Sequence, residues 1–262
     1  MMNDEQLLRY GRQILLPDID LAGQTRIKNA TVLLVGLGGL GSAIAYYLAG
    51  AGIGHLILND FDRVDWTNLQ RQIVHNESRI GVNKAESARQ TLVALNSDIQ
   101  IDAISQRLDK PALLELAQQC DVIVDGTDNF ASRQLINEIS LRSAKPLVSG
   151  AAIRMEGQLS VFNVTASSPC YQCLYGNSAN DEQLTCSENG VLAPVVGIIG
   201  AMQATETLKL IAGFGQTLDG RLLLLDAKNM HIRTLKLVQD PHCECHGLRG
   251  SVLLSDAQSG LP

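Results

Sequence analysis

A chain of 262 residues, 45 % of them apolar, can bury the core of one large domain or two small ones. The net charge of −6 and the lack of a dense Lys/Arg run argue against a nucleic-acid partner held by electrostatics. The polar, acidic start Met1-Met2-Asn3-Asp4-Glu5-Gln6 is unlike a secretion signal, and the most apolar stretch, 191–201, is too short to span a membrane, so no membrane association and a cytoplasmic location are expected.

Residues 1–28 read as a helical arm that groups Arg9, Tyr10, Arg12 and Gln13. The β-branched and aliphatic run 31–35 reads as a buried strand, followed by a glycine loop and a helical stretch at 43–49. A strand is then expected at 55–59, a helix at 83–95, a strand at 99–104, a helix at 111–119, a strand at 122–125 and a helix at 132–143. The next strand, 147–149, is expected to end at Gly150. This alternation predicts an α/β fold, a Rossmann-like, doubly wound and mainly parallel sheet. After Gly150 the pattern changes. Strands are expected at 158–164, 221–226 and 231–238, with a long helix at 195–212 that stops in the turn-rich stretch 213–220. These strands are expected to extend the same sheet in antiparallel fashion, giving one domain over 1–248 and a tail at 249–262.

Gly36-Leu37-Gly38-Gly39-Leu40-Gly41 fits G-x-G-x-x-G between a strand and a helix, the setting in which that pattern holds a nucleotide. Gly36, Gly38, Gly39 and Gly41 let backbone approach phosphates, and the helix N-terminus favours their charge. Asp60, about twenty residues on, is placed to take a ribose hydroxyl. The loop alone fits an NAD dehydrogenase or a bare tight turn as well as an ATP enzyme. Asn68, Arg71 and Lys84 follow closely. A dehydrogenase has no evident need for them there. A triphosphate does, because cations neutralise it and the charge that grows on departing pyrophosphate. The plainer reading makes Arg71 and Lys84 ordinary surface residues. Asp125-Gly126-Thr127-Asp128-Asn129 ends a buried strand at the carboxyl edge of the sheet. Asp128 there either holds Mg²⁺ against the phosphates or caps the following helix.

Arg9-Tyr10-Gly11-Arg12-Gln13, the glycine loop, Thr67-Asn68-Leu69-Gln70-Arg71-Gln72, Asp128-Asn129 and Ser149-Gly150-Ala151-Ala152 together resemble a known family. It is that of the molybdopterin-synthase and thiamine sulfur-carrier adenylyltransferases, bacterial relatives of ubiquitin-activating enzymes. The resemblance covers residues 4–247, and Ala152-Ile153-Arg154-Met155-Glu156-Gly157-Gln158 leans toward the molybdopterin member. It implies ATP, Mg²⁺, a homodimer and a ubiquitin-like sulfur-carrier partner ending in Gly-Gly. It further implies that the glycine loop, Asp60, Thr67, Asn68, Leu69, Gln70, Arg71, Lys84, Asp128 and Asn129 hold the nucleotide. Asp128 would carry the metal ion, and Arg12 would reach the phosphates from the other subunit.

Six cysteines in a chain with no secretion signal suggest metal or catalysis before disulfides. Cys170-Tyr171-Gln172-Cys173 and Cys243-Glu244-Cys245-His246 suit one tetrahedral Zn²⁺. The family's second pair is C-x-x-C, whereas here it is C-x-C with a histidine behind it. The fourth ligand is therefore Cys245 or His246. Free thiols without metal are the alternative. Cys186 stands apart in a polar segment and could act as a transfer nucleophile if its pKa were lowered. Cys120 precedes a buried strand and reads as core.

The expected reaction is attack of the carrier's C-terminal carboxylate on the α-phosphorus of ATP, with pyrophosphate leaving and a separate sulfurtransferase acting afterwards. The carboxylate is already ionised, so catalysis needs positioning and charge neutralisation rather than a general base. An NAD-dependent oxidoreductase would use the glycine loop and Asp60 but leave Arg71, Lys84 and the cysteines idle. A non-catalytic binding module for a ubiquitin-like partner would have no use for Arg71, Lys84 and Asp128 together.

Overall fold

The computed structural model describes residues 2–176 and 190–251. Its centre is an eight-stranded sheet in the order β3-β2-β1-β4-β5-β6-β7-β8. The strands β1 (Thr31–Val35), β2 (His55–Asn59), β3 (Gln100–Ile104), β4 (Val122–Asp125) and β5 (Leu147–Ile153) run parallel, while β6 (Glu156–Phe162), β7 (Arg221–Asp226) and β8 (His231–Lys236) continue the sheet antiparallel. The mixed sheet expected from the sequence is the one observed.

The parallel strands are continuous apolar runs because both faces of the sheet are covered. Val32 and Leu34 of β1 and Val122 and Val124 of β4 point into one core cluster. Leu33 and Ile123, between them, point into the other. The first cluster is closed by helices α3 (Gly39–Ala51), α4 (Lys84–Leu95) and α8 (Ala193–Ala212), the second by α5 (Lys110–Gln118) and α6 (Phe130–Ser143). Each fully buried Leu or Ile is worth about 1.5–3 kcal/mol.

The arm is two helices, α1 (Asp4–Ile14) and α2 (Asp20–Asn29), docked on the domain by polar contacts. Tyr10 is buried and its hydroxyl accepts from Asn96 Nδ2 at 2.8 Å, and Gln13 Nε2 donates to Ala51 O at 3.1 Å.

Strand β5 does not stop at Gly150. It runs on to Ile153 and turns through Arg154 and Met155 into β6. Glycine sits at 150 because α8 lies against the sheet there: a Cβ would come within 2.7 Å of the Gln203 side chain. The glycine marks a close helix–sheet approach rather than a strand end. Helix α8 is long and apolar enough to cross a membrane by length and composition, but half of it is buried against α3, β5 and β6. Glu206 on it is buried, ion-paired with Lys209 at 2.6 Å and accepting from Leu218 N at 2.7 Å.

Candidate nucleotide and substrate site

Strand β1 lies between β2 and β4, so the chain leaves it in one direction and later returns on its other side. The crevice at such a switch point, at the carboxyl ends of the strands, is where open α/β sheets bind ligands. Val35 and Asp125 end β1 and β4 side by side, and the loops that follow nearly touch. A Cβ on Gly36 would lie 2.8 Å from Gly126 C, and one on Gly41 1.9 Å from Gly36 O. Gly36 also has φ +92°, the left-handed region that glycine tolerates. Gly38 is the N-cap of α3 with no side chain capping the helix, so its first amides are left to an incoming anion.

The cleft over this loop is lined by Gly36, Gly38, Gly39, Asp60, Asp62, Arg71, Gln72, Lys84, Asp128, Asn129 and Arg133, among others. Asp60 Oδ2 accepts from Leu37 N at 2.7 Å and Oδ1 from Asp62 N at 2.9 Å, so this carboxylate also shapes the glycine loop. Burial raises its pKa, and Lys84 opposes that shift. Lys84 opens α4 with its side chain 7 % exposed, and its Nζ lies 3.2 Å from Asp62 Oδ2. A cation at a helix N-terminus works against the helix dipole, so the position gains nothing for the helix.

Arg71 Nη2 donates to Asn68 Oδ1 at 2.7 Å. Asn68 ends the tight turn Trp66–Asn68, in which Asp65 accepts from Thr67 N at 2.8 Å. Thr67, Asn68, Leu69 and Gln70 are not among the cleft's lining residues, and neither is Gly41. Asn68 orients Arg71 from behind, and Gly41 lets α3 close on Gly36. Asn129 Oδ1 accepts from Ser132 N at 2.9 Å and caps α6. The cap expected of Asp128 is thus made by its neighbour, and Asp128 opens on the cleft.

A second groove continues from this cleft across β5, β6 and β7, with Asp128, Arg133 and Ala152 lining both. Ala151, Ala152 and Gly157 keep its near end free of bulk, Tyr175 forms a wall, and His231 and Arg233 line its far end. Arg12 is exposed on α1 and does not line the cleft of its own chain. Cys186 lies outside the described residues.

The cysteines meet as expected, and the fourth position goes to the histidine. Ligand atoms of Cys170, Cys173, Cys243 and His246 all lie within 4.8 Å of one another. Cys170 Sγ is 3.8 Å from Cys173 Sγ and 3.7 Å from Cys243 Sγ, and Cys173 Sγ is 3.1 Å from His246 Nε2. Tetrahedral Zn²⁺ with Zn–S of about 2.3 Å sets sulfurs about 3.8 Å apart, so these residues fit the ion. Both halves are the same turn: Cys173 N donates to Cys170 O at 3.0 Å and His246 N to Cys243 O at 3.3 Å. Cys245 stays at the edge of the cluster, its thiol against Cys170 and Cys243 and donating to Gln172 Oε1, but outside the set of four whose ligand atoms close on one point. Cys120 is buried, and burial pushes its thiol up to about 12, as suits a core residue.

A model of the ThiF family matches residues 10–247. The chain belongs to the ThiF family. It is 45 % identical over 249 residues to a molybdopterin-synthase adenylyltransferase of Salmonella typhimurium, covering 94 % of this chain and 98 % of that one. It is 46 % identical over 237 residues to the adenylyltransferase and sulfurtransferase MOCS3 of Culex quinquefasciatus; this covers 90 % of the chain and 54 % of the mosquito protein, about half its length. Among solved structures it resembles E. coli MccB with MccA-N7isoASN, with TM-score 0.81 and 24 % identity over 94 % of this chain and 76 % of that one, a likeness of fold.

Three residues of this ThiF-family site escape the sequence reading. Gln72 is buried in the cleft wall, and its Oε1 has no hydrogen-bond partner among the described residues. His75 is buried between Leu37 O (3.0 Å from Nε2) and Ser87 Oγ (2.9 Å from Nδ1). A carbonyl only accepts, so Nε2 carries a proton, and in the neutral ring Nδ1 accepts from Ser87. Burial lowers the ring's pKa to about 4, in agreement with the neutral form. The third is Arg133, in the first turns of α6. The sequence signal for it, as for Lys84, is a cation near a helix N-terminus where the dipole disfavours one.

Proposed function

We propose that this ThiF-family chain uses ATP to adenylate the C-terminal carboxylate of a ubiquitin-like sulfur carrier, the small subunit of molybdopterin synthase, in molybdenum cofactor biosynthesis in the cytoplasm. The observation that carries this reading is the junction of a nucleotide cleft with an open groove, with Asp128, Arg133 and Ala152 common to both. A nucleotide in the first and an extended peptide end in the second would meet there. The small residues Ala151, Ala152 and Gly157 suit a tail that ends in Gly-Gly. The relatives named as adenylyltransferases support the same reaction.

In this reading the free amides of the glycine loop cradle phosphate, and Arg71 and Lys84 offset the charge that builds on pyrophosphate as it leaves. Mg²⁺, when bound, would neutralise phosphate oxygens, and Asp128 is the residue to hold it. Arg12 would add its charge from the second subunit of a homodimer. The zinc cluster is structural, since four protein ligands leave no position for water. The activated carboxylate passes to a sulfurtransferase on a separate protein. Residues 1–248 would act as one adenylation domain, and Cys186 would serve the later transfer.

The test is carrier-dependent ATP–pyrophosphate exchange with purified molybdopterin-type and thiamine-type carriers side by side. Exchange with the first carrier is expected. Exchange with the thiamine-type carrier alone would reassign the substrate, and exchange with neither would remove the reading.

A further inference from the structure

Arg133 has no role in the reaction described so far, yet it lines the nucleotide cleft, the substrate groove and a small cavity beneath β5 and β6. Its side chain is only 15 % exposed. A guanidinium offers five N–H donors in a rigid fork. Nη2 donates to Thr127 O at 2.8 Å, and the Tyr171 hydroxyl takes a second contact. Nε has no hydrogen-bond partner among the described residues. The nearest carboxylate, Asp125, stands 3.8 Å from Nε and accepts instead from Thr127 N at 2.9 Å, Thr127 Oγ1 at 2.6 Å and Ser149 Oγ at 2.8 Å. The fork is thus fixed in place from behind by groups that do not use it fully. A buried charge with spare donors calls for an anion.

We propose that Arg133 binds the terminal carboxylate of the substrate's tail and presents it to the nucleotide; this rests on the adenylation reading above. Two anions would arrive at this junction. The phosphates are already served by the glycine loop, Arg71 and Lys84, which line the nucleotide cleft and not the groove. Arg133 faces both, so the anion from the groove falls to it. Without it, the carboxylate would arrive beside Asp125 and Asp128 with no cation common to the cleft and the groove to receive it. One carboxylate oxygen forms the new bond to the α-phosphorus, the bond from that phosphorus to the bridging oxygen breaks, and pyrophosphate leaves with the electron pair. No proton moves. The carboxylate charge is lost in the acyl-adenylate, so Arg133 holds the reactant more tightly than the product. Its contribution therefore falls on carrier binding and on the preference for a free acid.

The experiment measures binding of the molybdopterin-type carrier, as its natural acid and as a C-terminal carboxamide, to the full chain with a non-hydrolysable ATP analogue. The native chain is expected to prefer the acid by about 10–100-fold, the scale of a hydrogen bond to a charged group. In Arg133→Gln that ratio should fall close to one while the affinity for the ATP analogue stays unchanged. Arg133→Lys, a point charge without the fork, should keep only part of the ratio. A native-like ratio in a folded Arg133→Gln overturns the proposal, as does a native chain that ignores the terminal group. If the Gln variant does not fold, the Lys variant decides: a lower melting temperature with an unchanged acid-to-amide ratio means a purely structural residue. Failure of the reaction itself reads differently, as a native chain with no carrier-dependent pyrophosphate exchange.

Discussion

Strands β1 and β4 bury nearly every side chain between helices, whereas β8 is exposed from His231 to Lys236. The parallel half of the sheet is held by two apolar clusters and carries the nucleotide cleft at its carboxyl edge. The antiparallel half has less apolar cover and forms the floor of the groove. Its outer end and the short helix α7 (Tyr171–Tyr175) are gathered by the Cys/His cluster, with Cys173 and Tyr175 on the same helix. The difference separates two tasks. Charge chemistry needs fixed backbone and deeply anchored cations, which a packed parallel core supplies. Recognition of a protein tail needs an open surface, and a metal site can supply the rigidity that an open surface lacks.

The largest expected effect strikes the parallel half alone. Arg71→Ala and Lys84→Ala should each lower carrier-dependent pyrophosphate exchange by about 10²–10³-fold. The melting temperature should stay near native in Arg71→Ala and fall in Lys84→Ala, which leaves the buried Asp60 without its neighbouring cation. Near-native exchange in both variants would remove the phosphate assignment. Arg12→Ala should show a similar loss if Arg12 acts across a dimer. Mixing Arg12→Ala with Arg71→Ala subunits should then restore part of the activity, since one site per mixed dimer holds both native residues. No recovery after verified subunit exchange would place Arg12 outside the reaction.

A smaller loss is expected from Asp128→Asn, in turnover more than in ATP binding, because Asn cannot supply the anionic ligand that Mg²⁺ prefers. Stability should not change, since Asn129 makes the cap. Asn129→Ala should do the reverse and cost about 1 kcal/mol in a melting experiment. Full activity of Asp128→Asn would show that its charge is not used.

The antiparallel half is tested by its metal. Cys170→Ser and His246→Ala should lose zinc and melt lower, while Cys245→Ser keeps its zinc. Hydrogen exchange should rise first in β7, β8 and α7 and leave β1 and β4 protected. Stoichiometric zinc in both ligand variants would mean that the ion, if any, sits elsewhere.

The parallel half was legible because its strands are uninterrupted apolar runs set off by turns. The runs read at 31–35, 55–59 and 122–125 coincide with β1, β2 and β4. Arg71 and Lys84 stood out because they follow Asp60 closely in sequence. What stayed hidden depends on contacts between distant segments. Gly150 resembles a strand stop until α8 is seen lying on it. Asp128 and Asn129 both have capping chemistry, and only backbone geometry chooses between them. Cys245 and His246 were equal on paper until the turn from Cys243 brought the third residue onward back to the cluster. Arg133 matters through the meeting of two cavities, which no local pattern encodes.

The smallest effect concerns acid, and it sharpens the comparison because it should originate in the parallel half. His75 joins the glycine loop to α4 and donates from one nitrogen while accepting at the other. A second proton would force the Ser87 hydroxyl to turn and accept, and would place a charge in a buried site near Lys84 and Arg79; burial first, and then these two cations, hold the pKa down. Unfolded, this histidine has the ordinary imidazole value of 6.5, and burial brings it down to about 4 in the fold. Between those values the unfolded chain binds more protons than the folded one. The contribution is therefore complete above about pH 6.5 and is lost as the pH falls toward 4. Carboxylates and zinc ligands also titrate on the acid side, so the measurement is a difference. Melting temperature against pH is recorded for the native chain and for His75→Gln, which cannot titrate. The native chain should lose more stability than the variant across that window, and the two curves should run parallel above it. Parallel curves throughout would mean that His75 titrates alike in the folded and unfolded chain, and the lock between glycine loop and α4 would have to be drawn differently.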